Sequence, residues 1–198
     1  MSDTQKTKSL KGTKTAECLA KAYLAESTAV TRYTFYADQC KKDLYFQYSN
    51  IFTETAANEL RHAKIFLQYL VDGGAAEGVI GVDSGKLNDT VVNIGIAAEE
   101  EQREGVEEYT RSAKVARSEG FDDIADKFEA IASIEAHHEA RFRKMLERIN
   151  TGTVWKRDKP VKWQCLVCGY IYEGTTPPEK CPACSHPYQH FMIAEDNW

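Results

Sequence analysis

Glu135-Ala136-His137-His138 is a Glu-x-x-His motif, and Glu59-Leu60-Arg61-His62 is another. Residues three apart on an α-helix sit about 60° apart around its axis, so a carboxylate and an imidazole at that spacing converge on one ion. A glutamate precedes each motif at nearly the same distance: Glu26 lies 33 residues before Glu59, and Glu101 lies 34 before Glu135. The pattern is an internal repeat of two helical hairpins. Two Glu-x-x-His helices paired with two further Glu-bearing helices carry the side chains of a two-iron or two-manganese carboxylate site in a four-helix bundle.

The flanking sequence divides into four helices. Helix A starts from Thr13 or Thr15, either a plausible N-cap, and carries Ala16, Leu19, Ala22, Tyr23, Glu26, Val30 and Tyr33 towards Cys40. Asp43 is placed to cap helix B, which carries Phe46, Ile51, Phe52, Ala56, Glu59, Ala63, Phe66 and Leu70 and stops at Gly73-Gly74. Gly78, Gly81, Asp83, Ser84 and Gly85 then mark a loop. Asp89 opens helix C, which ends at Gly120, and Asp122 caps helix D, which ends near Asn150-Thr151-Gly152. Only a few residues join A to B and C to D, so each pair is an antiparallel hairpin. The B-to-C link of about 15 residues spans up to ~50 Å when extended, enough to run the length of a ~30-residue helix. One long crossover is the ferritin-like arrangement.

Measured from the two hairpin turns, Glu26, Glu59 and His62 fall level with one another, as do Glu101, Glu104, Glu135 and His138. All seven are expected in one layer near mid-helix. Most helical glutamates are solvated surface residues, and Glu99, Glu100, Glu107 and Glu108 are read that way. Glu26 is different, because Ala22, Tyr23, Val30 and Tyr33 share its face. Ionised carboxylates on an apolar face are very costly unless paired or metal-bound. His137 sits about 100° round the helix from His138 and is expected outside the cluster.

A chain of 198 residues with 42% hydrophobic and 28% charged residues has the composition of an ordinary soluble protein. Its 25 basic and 30 acidic residues give a formal net charge of −5, which does not suggest a nucleic-acid partner. No apolar run approaches the ~18 residues of a membrane span, and the first 14 residues are polar rather than a signal peptide. The expected location is the cytoplasm. Four of the six cysteines fall as Cys165-x2-Cys168 and Cys181-x2-Cys184, the spacing of metal ligands rather than of a disulfide scaffold. Cys18 and Cys40, 22 residues apart on one helix, are separated by roughly 33 Å, cannot bridge each other, and read as small buried side chains.

After Thr151 the chain changes character. Trp155 to Pro160 reads as a polar, extended linker, and the two cysteine knuckles follow. So short a module has too little core to fold alone, so a tetrahedral four-thiolate metal site must hold it together. Spacing does not separate iron from zinc. The division expected is a bundle over 1–152 and a linker with its metal ribbon over 153–198.

Taken together, Glu26 with Arg32-Tyr33, Glu59-x-x-His62, Glu101-x-x-Glu104, Glu135-x-x-His138, the Cys-x2-Cys-Gly-Tyr and Cys-Pro-Ala-Cys knuckles, His186-Pro187 and terminal Asn197-Trp198 resemble the rubrerythrins over nearly the whole chain. The resemblance implies an oxo- and carboxylate-bridged di-iron site in a ferritin-like bundle, plus a rubredoxin-like iron centre on Cys165, Cys168, Cys181 and Cys184, with zinc as a possible substitute. Ser185 departs from the glycine of many rubredoxin knuckles, which bears on the local backbone and not on the ligation.

By the same resemblance, Glu59 and Glu135 bridge the irons, Glu26 and Glu101 are terminal ligands, and His138 holds one iron. Glu104 and His62 are alternative ligands of the other, exchanged between oxidised and reduced states; the repeat places Ala29 where the second hairpin has Glu104. Tyr33 and Tyr109 lie close by as hydrogen-bond donors to the ligands. The implied activity is reduction of hydrogen peroxide to water in oxidative-stress defence. Five carboxylates leave a net −1 both with two ferrous ions and with two ferric ions and an oxide, so a buried site cycles by two electrons at constant charge. The implied assembly is a homodimer, with or without exchange of the small domain, in which one subunit's thiolate centre approaches the other's di-iron site. A rubredoxin or an NAD(P)H-dependent rubredoxin reductase is the implied donor, since no Gly-rich dinucleotide fingerprint occurs in the chain. Iron oxidation and storage, or oxygen reduction, is the competing reading.

Overall fold

In the computed structural model the described residues are 8–75 and 87–194. The loop signature at Gly78 to Gly85, the first seven leader residues and terminal Asn197-Trp198 lie outside them. The bundle consists of α1 (Lys14–Lys42), α2 (Phe46–Asp72), α3 (Thr90–Glu100), a π-helical segment (Glu101–Glu108), α4 (Tyr109–Ser118) and α5 (Asp122–Asn150). The expected helices A, B and D are α1, α2 and α5, while helix C is divided.

Thr13 caps α1, its hydroxyl accepting from Ala16 N at 3.1 Å. Thr15 instead donates its hydroxyl and backbone N–H to Glu119, at 2.6 and 2.8 Å. The expectation for Asp43 is corrected. It does not cap α2, whose N-terminal residue Tyr45 makes no side-chain cap. Its backbone N–H closes α1, and its carboxylate accepts from the N–H and hydroxyl of Thr90, at 3.0 and 2.7 Å, at the start of α3. A carboxylate there satisfies orphan donors of a helix whose own cap, Asp89, bonds Val92 N at 3.0 Å. The expectation for Asp122 is corrected likewise: it is the first residue of α5, and the capping place before it is held by Phe121, which makes no side-chain cap.

These bonds fix the topology. Leu10 N donates to Gly73 O at 3.0 Å, and Thr15 meets Glu119, so the start of α1, the end of α2 and the α4–α5 turn share one end of the bundle. Asp43 meets Thr90, and Tyr48 donates to Met145 O, so the α1–α2 turn, the start of α3 and the end of α5 share the other. The end of α2 and the start of α3 therefore lie at opposite ends of the bundle, the placement of a ferritin-like crossover.

Helix C contains a turn the spacing does not announce. Over Glu101–Glu108 the backbone takes the wider π form. π segments are rare and concentrate at functional sites. Gly105 shows why this one is tolerated. A Cβ there would lie 2.5 Å from Glu135 Cγ and closer still to its Cβ, so only glycine lets the segment lie against α5. Gly105→Ala must therefore move Glu135 or part the two helices. Overpacking of this kind costs roughly 1–3 kcal/mol. We expect a lower melting temperature and less than two irons bound per chain; full occupancy with unchanged stability would contradict this role.

Two apolar clusters flank the carboxylate layer. Leu19, Phe66, Tyr109, Phe128 and Ile131 fill the end near the start of α1, and Tyr33, Tyr36, Phe52, Ile94, Phe142 and Met145 fill the other. Cys40 is fully buried and Cys18 half-buried, each with a free thiol.

The C-terminal module is a three-stranded antiparallel sheet in the order β2-β1-β3, with β1 Val161–Cys165, β2 Ile171–Gly174 and β3 Phe191–Ile193. Trp163 and Phe191 form its small core. The stretch read as a linker does more than span. Trp155 stacks on Tyr45 at 5.6 Å and donates Nε1–H to Phe191 O at 3.2 Å, while His190 stacks on Phe46 at 3.8 Å. The module is thus seated on the first residues of α2 of its own chain. Phe46 is 13 residues before Glu59, so about 20 Å of helix separates this seat from the carboxylate layer.

Candidate metal centres

Six of the seven expected bundle residues converge. Glu26, Glu59, His62 and Glu135 offer ligand atoms within 4.8 Å of one another, and Glu59, Glu101, Glu135 and His138 do the same. Glu59 and Glu135 belong to both groups and divide their oxygens between them. His62 Nδ1 lies 2.9 Å from Glu59 Oε2 and 2.9 Å from Glu135 Oε1. His138 Nδ1 lies 3.2 Å from Glu59 Oε1 and 2.8 Å from Glu135 Oε2. The two groups are related by an approximate two-fold and share two carboxylates, each of which offers one oxygen to either group. None of these six residues is more than 6% exposed.

The chemistry of the set fits two cations. Both oxygens of Glu59, both oxygens of Glu135 and Nδ1 of each histidine are buried without a well-formed hydrogen bond. Such atoms are costly to bury unless a ligand completes them. The outer carboxylates are held from behind: Tyr109 donates to Glu26 Oε1 and Tyr33 to Glu101 Oε1, each at 2.6 Å. Each tyrosine thus serves the carboxylate of the opposite repeat while its ring packs in the core. Hydrogen bonds of this kind orient ligands and tune the metal they hold.

Protons compete with metal for these atoms. Burial lowers the pKa of His62, but contact with Glu135 and Glu59 outweighs it and pushes it up to about 10. The same balance takes His138 to about 9. Glu26 and Glu101 are raised by burial and by the charges of Glu59 and Glu135. A histidine raised on folding stabilises the fold fully below its unfolded pKa of about 6.5, and that contribution is lost as pH rises through the folded value. Raised carboxylates act in the same direction. The metal-free protein should therefore lose melting temperature from about pH 7 to pH 10, with the iron-loaded protein falling much less. Parallel pH profiles would mean that protons and metal do not share these ligands.

Glu104 stands apart from the six. It is half-buried and faces Arg103 at 2.8 Å. It nonetheless lines a chamber of about 20 Å³ together with Glu26, Glu59, Glu101 and Glu135, and also an outer cavity of about 430 Å³ between α1 and the π segment. Ala25, Arg32, Glu100 and Tyr109 border both spaces, and Arg32 pairs with Glu100 at 3.0 Å. Glu100, read from sequence as a solvated surface residue, is mostly covered. His137 is exposed, as its helix position predicts.

The four cysteines form a second cluster. Cys165 and Cys184 sulfurs are 3.7 Å apart, and those of Cys168 and Cys181 are 3.6 Å apart. A tetrahedron with metal–sulfur bonds of about 2.3 Å has edges of ~3.8 Å, so the thiols already stand at the corners such an ion requires. Gly169 and Ser185 occupy matching places after the two knuckles and both take left-handed backbone, with φ of 77° and 62°. Ser185 thus adopts the conformation glycine favours there.

Two contributors escaped the sequence reading. Gly105 is an ordinary glycine until α5 is placed against it. Asn58, next to Glu59, reaches across to His138, its amide 3.3 Å from Nε2. Its signal would have been a polar residue on a helix face turned towards the partner motif.

The rubrerythrin family model matches twice, over residues 17–93 and 90–166, once for each half of the repeat. The model described as the rubredoxin-like domain of rubrerythrin matches residues 163–192. Rubrerythrin-1 of Clostridium acetobutylicum is 45% identical, the alignment covering 96% of this chain and 100% of that protein. Rubrerythrin of Nitratidesulfovibrio vulgaris is 42% identical, with the same 96% and 100% covered. Among solved structures, nigerythrin in a partially reduced state superposes with a TM-score of 0.63 over 97% of this chain and 94% of that one, at 24% identity, which speaks for the fold. With the rubrerythrin model matched over both halves of the bundle, its rubredoxin-like domain matched over the cysteine module, and relatives 42% and 45% identical over 96% of the chain, the chain belongs to the rubrerythrin family.

Proposed function

We propose that the protein is a peroxidase that reduces hydrogen peroxide to water, with electrons drawn from an external NAD(P)H-linked donor. The observation that carries this reading is the joining, in one chain, of a two-cation carboxylate site to a four-thiolate site. Storage of iron has no use for the second. Two irons bound in the bundle would supply the two electrons peroxide accepts, and Cys165, Cys168, Cys181 and Cys184 would hold an iron able to return them one at a time.

The chain's own residues do the rest. Glu59 and Glu135, common to both ligand groups, would hold both ions, Glu26 and Glu101 would hold the outer positions, and His138 would stay a ligand throughout. Glu104 and His62 would exchange on the side of Glu26, which groups with His62 and lines a chamber with Glu104. Tyr109 and Tyr33 hold the outer carboxylates while this happens. The chamber of about 20 Å³ is little above the roughly 10–15 Å³ that one water needs, so it admits only a very small substrate, the class to which hydrogen peroxide belongs. Because the module sits about 20 Å along α2 from its own carboxylate layer, electron delivery is assigned to the neighbouring subunit of a homodimer. A rubredoxin or a rubredoxin reductase fills the upstream role, and the setting is cytoplasmic oxidative-stress defence. No helix among the described residues is long and apolar enough to cross a membrane. Steady-state assay with NADH, a rubredoxin reductase and peroxide tests the reading: peroxide-dependent NADH oxidation supports it, and oxidation that needs only oxygen or added ferrous iron would replace it with ferroxidase chemistry.

A further inference from the structure

The internal repeat makes the two Glu-x-x-His motifs comparable position by position, and it breaks at one telling place. Before Glu59 stands Asn58; before Glu135, at the matching position, stands Ile134. Asn58 is half-buried on α2, and its amide meets Nε2 of His138 on α5 at 3.3 Å. By the symmetry of the site, Ile134 on α5 is the position that would serve His62 on α2. Its side chain is apolar and 39% exposed. Isoleucine offers neither donor nor acceptor.

The nitrogen chemistry gives this difference a consequence. Both histidines turn Nδ1 towards the bridging carboxylates. An imidazole that gives Nδ1 to a metal carries its proton on Nε2. Asn58 Nδ2 is the atom 3.3 Å from His138 Nε2; turning the amide over, which exchanges its nitrogen and oxygen, puts an acceptor where that N–H can donate. A ligand whose second nitrogen is bonded is fixed in tautomer and ring orientation.

We infer that Asn58 is the positioning residue that locks His138 as the constant ligand, and that Ile134, by withholding the same bond, leaves His62 able to leave its site. The inference rests on the ligand-exchange reading given above and supplies its physical basis: the repeat is symmetric in its ligands and asymmetric in what holds them.

The test uses the full chain loaded with cobalt(II), whose histidine ligands give paramagnetically shifted, solvent-exchangeable N–H proton resonances. In the unmodified protein one such N–H should exchange slowly and the other quickly. Asn58→Leu should speed the slow exchange and weaken one of the two cobalt sites by about 10- to 100-fold, the usual loss when a ligand's outer partner is removed. Asn58→Asp keeps an acceptor oxygen in place and should restore both properties, which a merely structural role would not produce. Ile134→Asn, a surface substitution, should slow the second N–H and keep His62 bound after oxidation of the iron-loaded protein. Unchanged exchange and affinity in Asn58→Leu, or no second slow N–H in Ile134→Asn, would overturn the inference. Neither readout needs peroxide, so a failure of the peroxidase reading alone would leave these results standing.

Discussion

Glu104→Ala is expected to bind two irons per chain, melt near the unmodified protein, and reduce peroxide about 10- to 100-fold more slowly. The three parts of this result come from different features. Metal binding survives because the two ion positions are built by Glu26, Glu59, His62, Glu101, Glu135 and His138, with Glu104 outside both groups. Stability survives because the Glu104 side chain is 36% exposed and paired with a largely solvated Arg103, and such pairs contribute little. Turnover falls because the fifth carboxylate, which shares a chamber with Glu26, is the one available to replace His62 when the irons are oxidised. An unaffected rate would sink the exchange proposal. Loss of iron would instead make Glu104 an ordinary structural ligand.

Cys184→Ser is the second large effect, and it separates the two centres. Four-ligand structural metal sites contribute on the order of 10–16 kcal/mol to folding. The module's own core is little more than Trp163 and Phe191, so loss of one thiolate should unfold it. The bundle has two apolar clusters of its own and no ligand in the module, so its irons remain. We therefore expect loss of the ferric-thiolate colour and collapse of donor-driven turnover, while the chemically reduced bundle still consumes one equivalent of peroxide. Retained turnover with NADH and reductase would show that electrons bypass the thiolate centre. A colourless unmodified protein, rather than a red one, would identify zinc in place of iron.

Much of this arrangement was legible because metal ligands impose spacing. Two Glu-x-x-His motifs and their leading glutamates marked six residues that the fold brings together, and the link between helices B and C implied the crossover. Other features depend on what lies across the bundle. Asp43 looked like the cap of its own following helix, yet its carboxylate serves Thr90, 47 residues on. Helix C carries no proline or capping break within Glu101–Glu108, so nothing in its pattern distinguishes a π turn from an α turn; the contact of Gly105 with Glu135 does. Glu104 shares a three-residue spacing with Glu101, which on an α-helix would put both on one face, and the wider π turn is what parts them. Trp155 read as linker because its partners, Tyr45 and Phe191, lie on either side of it only after folding.

The most direct measurement is anaerobic stopped-flow absorbance of the fully reduced, iron-loaded protein mixed with hydrogen peroxide or with oxygen. It follows the bands of the di-iron site and of the ferric-thiolate centre together. Rapid reoxidation of both by peroxide, with much slower reoxidation by oxygen, is the predicted result. A di-iron site that responds only to oxygen, or a thiolate band that never appears, would contradict the account and mark the protein as a ferroxidase with a structural ribbon.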